Sequence, residues 1–132
     1  MTEKQAQKFL VLMATKFKIP APKLIWSGRA TRGTANYYQY SVTVGPKCLC
    51  STLKNILIHE FAHFLIYQRS NCAEPCSPNG RITPHNWQFV DALIDCATVC
   101  YGNPAHYDWD TEYRSIQASI NKRFPEWKIK NG

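Results

Sequence analysis

The stretch NILIHEFAH, Asn55 to His63, lies in a run that is apolar on nearly every side: Leu53, Ile56, Leu57, Ile58, Phe61, Phe64, Leu65 and Ile66. A helix with apolar residues all round belongs in an interior. This one also carries His59, Glu60 and His63 in its middle. Buried polar groups are costly unless they find partners. Any fold for this chain must therefore bury the segment and give two imidazoles and a carboxylate something to bind.

On an α-helix, residues four apart share a face, about 40° out of phase. His59 and His63 can thus offer nitrogens to one metal ion. Glu60 leans to the side of that face, within reach of a water on the ion without being a ligand. Two ligands and a base on one rigid rod are what a zinc hydrolase centre needs. The plainer reading has these groups facing a wet groove or satisfying one another, and the apolar surroundings weigh against it.

A catalytic zinc takes three protein ligands and keeps one open position. The leading third candidate is His85, which follows the irregular stretch 70–84 and opens a helix that can lie beside the first. His106 sits in the turn NPAHYD and reads more simply as a surface residue. A carboxylate or a cysteine stays open as the third ligand.

Around the motif, residues 3–17 form an amphipathic helix with Phe9, Leu10, Leu12, Met13 and Phe17 on its apolar stripe, stopped before Pro20. KLIW (23–26) is a short strand, 27–35 a polar turn, and NYYQYSVTV (36–44) a second strand. The motif helix is expected from a Ser51 N-cap to about Arg69. The next helix is expected to start at Thr83-Pro84, with Thr as N-cap and Pro in the first turn, and to end near Gly102. A last helix is expected over about 109–124, with Tyr113, Ile116 and Ile120 on one stripe. Helix, two strands, then three helices make an α+β fold in one domain, 1–132.

No apolar run is long enough to span a membrane, and the N-terminus lacks the pattern of a secretory signal. The expected location is therefore intracellular, either cytoplasmic or with the nucleoid or nucleus. The formal net charge of +7 fits a polyanionic partner such as DNA, and fits ordinary solubility equally well. The basic residues are scattered, so no groove is defined.

Six cysteines fall in pairs: Cys48/Cys50, Cys72/Cys76 and Cys96/Cys100. Cys72, Cys76, Cys96 and Cys100 can be drawn as a second, four-thiolate zinc site. Each pair has three intervening residues where zinc knuckles usually have two, so free thiols are the simpler reading. A loop-to-helix disulfide is disfavoured in a reducing compartment. Cys48 and Cys50 read as core filler.

HEFAH followed by HNWQF, with the strand YYQYSVTV before it, resembles the SprT-like zinc metallopeptidases, which include the DNA–protein crosslink protease Spartan. The resemblance covers about residues 5–100. It implies a zincin-like α+β domain with a small antiparallel or mixed sheet packed on helices that include the motif helix. It implies Zn2+ held by His59, His63 and His85, with Glu60 as the base of single-zinc peptide hydrolysis. It also implies a protein substrate, with DNA-associated proteins as the first class to test. In zincins an extended substrate usually lies along an edge strand, here expected at 36–44, where Tyr37, Tyr38 or Tyr40 can help to hold the oxyanion. Ordinary strand packing is the simpler role for these tyrosines.

The chain departs from the family pattern at Asn86, where glycine often follows the third histidine. It also lacks the C-terminal Cys-x-x-Cys ribbon of many members, so it looks like a minimal catalytic core. Two other functions compete: a non-catalytic nucleic-acid-binding module with a zinc-stabilised core, and a zinc hydrolase of a small amide.

Overall fold

Thr2 starts the chain's first helix. Its hydroxyl accepts from the Gln5 N–H at 3.2 Å, and Gln5 Oε1 accepts from the Thr2 N–H at 2.8 Å, a reciprocal capping box. The computed structural model describes residues 1–49, 51–70 and 85–127, and in it this helix, α1, spans Glu3–Phe17. Ala6, Leu10, Met13 and Ala14 form its buried stripe. Leu12, expected on that stripe, points outward. Lys18 ends the helix in the left-handed conformation (φ 58°), and the Ile19 N–H closes on the Ala14 carbonyl at 3.0 Å.

The described residues fall into two compact units, Met1–Thr83 and Pro84–Gly132. The first holds α1, a sheet and the motif helix. β1 (Lys23–Trp26) forms where KLIW predicts it. The next stretch corrects the sequence reading, since 36–44 is not one strand. β2 (Thr34–Asn36) and β3 (Ser41–Val44) pair antiparallel, with Ala35 opposite Val42, and residues 37–40 turn between them. The Tyr40 N–H closes that turn on the Tyr37 carbonyl at 3.1 Å, Asn36 Oδ1 accepts from the Gln39 N–H at 3.2 Å, and Tyr40 itself is left-handed (φ 49°). An aromatic run free of glycine and proline gives no turn signal, which is why the sequence reads as continuous strand.

β1 pairs parallel to β3, giving the order β1-β3-β2. β3 is therefore central, and the edge strand expected at 36–44 is instead β2. Gly45 follows β3 where the chain passes so close to Ser27 that any Cβ would collide with the Ser27 carbonyl oxygen.

α2 (Leu53–Ser70) is capped by Thr52 rather than Ser51: Thr52 Oγ1 accepts from the Asn55 N–H at 3.3 Å. It packs against α1, β2 and β3, and every residue from Asn55 to Leu65 is buried. Phe61 and Phe64, both fully buried, are its largest core side chains.

The second unit opens on α3 (Trp87–Tyr101). The expected Thr83-Pro84 start lies outside the described residues; the observed N-cap is Asn86, whose Oδ1 accepts from the Phe89 N–H at 3.0 Å. Gly102, at φ 75°, ends the helix as the sequence predicts. The last helix is shorter than expected. Trp109–Thr111 is a separate 3-10 turn, and α4 begins at Arg114 and ends at Arg123. The break is held by Gln117, whose Nε2 donates to the Asp110 carbonyl at 3.2 Å and the Glu112 carbonyl at 2.7 Å. Ile116 and Ile120 are fully buried on α4, which packs on α3, itself buried at Phe89, Val90 and Leu93. Four α-helices and a three-stranded mixed sheet make the described residues an α+β fold. No described helix is long and apolar enough to cross a membrane.

Candidate metal centre

His59 and His63 sit one turn apart on α2, both buried, with ring centroids 5.3 Å apart and ring planes at 66°. Glu60 is buried beside them at 8% exposure. A helix that is apolar all round supplies this burial, and burial gives the three polar groups a strong need for partners.

The loop entering β2 comes up against the same part of α2. A Cβ on Gly33 would lie 2.5 Å from Ile56 Cγ2, 3.1 Å from Glu60 Cγ and 3.5 Å from Glu60 Oε1. Glycine is what lets the backbone lie this near the carboxylate. The sequence shows Gly33 only as part of a polar turn; that it borders Glu60 depends on a tertiary contact.

The tyrosines of the 37–40 turn brace α2. The buried Tyr37 hydroxyl donates to the His63 carbonyl at 3.1 Å, and its ring stacks on Tyr67 at 4.8 Å. The Tyr40 ring meets Phe64 edge-on at 4.8 Å. Its hydroxyl donates to the Pro20 carbonyl at 2.7 Å and accepts from Gln68 Nε2 at 3.2 Å. Burial raises the Tyr40 pKa above the ordinary tyrosine value, more than the Gln68 hydrogen bond lowers it. Tyr40 thus has its proton committed to a carbonyl of its own chain. Tyr38 is exposed at the turn.

In the second unit, His85 immediately precedes the Asn86 cap and is half-buried. The Phe89 ring meets it edge-on at 4.7 Å, and the Tyr113 ring stacks on it at 4.6 Å with an interplanar angle of 26°. Tyr113 does not join the stripe of Ile116 and Ile120 as the sequence suggests. It is the exposed N-cap residue of α4.

The ligand atoms of His59, His63 and His85 all lie within 4.8 Å of one another, a group that can hold a metal ion. His106, at the end of the 3-10 turn Pro104–His106, is exposed and stands outside this group. Three imidazoles are a donor set that suits a divalent transition-metal ion. Of the four cysteines that could be drawn as a second site, Cys96 is buried on α3 and Cys100 lies one turn on, while Cys72 and Cys76 lie outside the described residues. Cys48 is buried, as core filler should be, with Sγ 3.6 Å from the Ala30 carbonyl oxygen, and Cys50 lies outside the described residues.

Compared with protein-family models, curated proteins and solved structures, the chain matches none.

Proposed function

We propose that this chain is a single-zinc metallopeptidase of SprT-like type that hydrolyses peptide bonds, with DNA-associated proteins as the first substrate class to test. The observation that carries the proposal is the three-histidine group, with a buried carboxylate that is not one of its members one residue along α2 from His59. A carboxylate beside the ligands but outside their set is what a proton acceptor for a metal-bound water requires.

His59, His63 and His85 would hold the ion, which when bound supplies Lewis acidity at the scissile carbonyl and makes a water more acidic. The rest is done by the chain. Glu60 takes the proton of the attacking water as its oxygen bonds to the carbonyl carbon. It then passes that proton to the amide nitrogen as the C–N bond breaks. α2 holds Glu60 rigidly, and Gly33 leaves it room. Backbone pairing along the edge strand β2 would read main chain more than side chains, which suits broad specificity.

The deciding experiment is Glu60→Gln, which keeps the shape and removes the proton acceptor. Zinc content and melting temperature should stay near wild type. Cleavage of a denatured or DNA-bound protein should fall by at least about 100-fold. Loss of zinc in this variant would make Glu60 a ligand and overturn the mechanism. Zinc-loaded wild type that cleaves nothing, with or without DNA, would point to the nucleic-acid-binding module instead.

A further inference from the structure

Within the second unit, His85 is gripped by two aromatic rings. Phe89, 1% exposed and one turn into α3, meets the imidazole edge-on. Tyr113 covers a face of it at 4.6 Å. An imidazole held by one edge contact and one face contact has little freedom to turn about its Cβ–Cγ bond.

Tyr113 is itself held in place. It precedes α4 in an extended conformation (φ −60°, ψ 150°), and its carbonyl accepts from the Gln117 N–H at 3.0 Å. The buried Gln117 side chain ties down the residues just before it through the Asp110 and Glu112 carbonyls. The Tyr113 side chain makes no capping hydrogen bond to α4, and 56% of the residue is exposed. Its ring lies instead on the His85 imidazole.

We propose that Tyr113 is a positioning residue for His85, setting the plane in which the imidazole presents its ligand nitrogen. The inference rests on the reading of His85 as a metal ligand and adds a residue that reading does not contain. A ligand fixed in its binding orientation loses less freedom when the ion arrives. Metal coordination also makes an imidazole more electropositive, which favours contact with the electron-rich face of a phenol ring.

The test uses the whole chain with Co2+ as probe, titrated while the visible absorption of the bound ion is followed, for wild type, Tyr113→Ala, Tyr113→Phe and His85→Ala. Tyr113→Ala should weaken Co2+ binding by roughly 10- to 100-fold, the range seen when a partner that orients a ligand is lost. Its absorption band should broaden as the third ligand takes several orientations. Tyr113→Phe keeps the ring and should restore both affinity and band shape, which a lost hydroxyl interaction would not allow. Wild-type affinity and spectrum in Tyr113→Ala, with His85→Ala impaired, would overturn the positioning role and leave the metal centre standing. Wild-type binding in His85→Ala would overturn the ligand assignment itself, and the positioning role with it.

Discussion

The Tyr37 hydroxyl donates to the main-chain carbonyl of His63, 3.1 Å away in a buried setting. A residue of the β2–β3 turn is thereby tied to the middle of the helix that carries both buried histidines. Tyr37→Phe keeps the ring on Tyr67 and removes that bond. We expect a loss of about 1 kcal/mol in urea unfolding, the usual worth of one internal hydrogen bond. Unchanged stability would mean the hydroxyl adds nothing that water does not.

Metal content is the broadest check. Protein purified without chelator should hold about one zinc per chain, and about two if Cys72, Cys76, Cys96 and Cys100 bind a second ion. Stripping the metal should lower the melting temperature, because an ion that binds only the folded chain stabilises it. Metal-free protein with full stability and activity would sink the proposal.

The two remaining histidines of the chain make a matched pair of variants. His85→Ala should release zinc readily, since two ligands on one helix hold the ion poorly. His106→Ala should retain it, because His106 is exposed and outside the group. A zinc-retention assay giving the opposite order would move the third ligand to the 3-10 turn.

Gly33→Ala tests the approach of the β2 loop to the candidate base. The new methyl would sit 2.5 Å from Ile56 Cγ2 and 3.1 Å from Glu60 Cγ, so something must move. A loss of about 1–3 kcal/mol is expected from such overpacking. Zinc content should hold while cleavage falls, because the carboxylate is disturbed and the ligands are not. Thermal melts and activity both at wild-type level would show that the loop yields freely.

Tyr107 sets the alkaline limit. It is buried, and desolvation, reinforced by Glu112, raises its pKa well above the ordinary tyrosine value of about 10. In the unfolded chain the phenol ionises near the ordinary value; in the folded chain it stays protonated. The unfolded state therefore binds fewer protons above that pH, and stability must fall as pH rises past it. Below pH 10 the contribution is complete. Tyr107→Phe should flatten the alkaline decline of the melting temperature, and an equally steep decline in that variant would assign it elsewhere.

Local chemistry made much of this protein legible in its sequence. The extent of α1, the length of α2 and the glycine that ends α3 all follow from interactions a few residues long. The i, i+4 spacing alone puts His59 and His63 on one face. What depends on residues far apart in sequence was not legible. The run 36–44 folds back on itself because Tyr40 accepts a left-handed backbone, held there by Pro20, Phe64 and Gln68, and no local signal announces it. Asn86 caps α3 at φ −88°, a conformation that needs no glycine. Gly33 beside Glu60, Tyr37 on the His63 carbonyl and Tyr113 on His85 are contacts between segments separated by 26 to 28 positions. Spacing along one helix is set by its repeat, but contacts between distant segments are set by how side chains fill the space between elements, which only the folded chain decides.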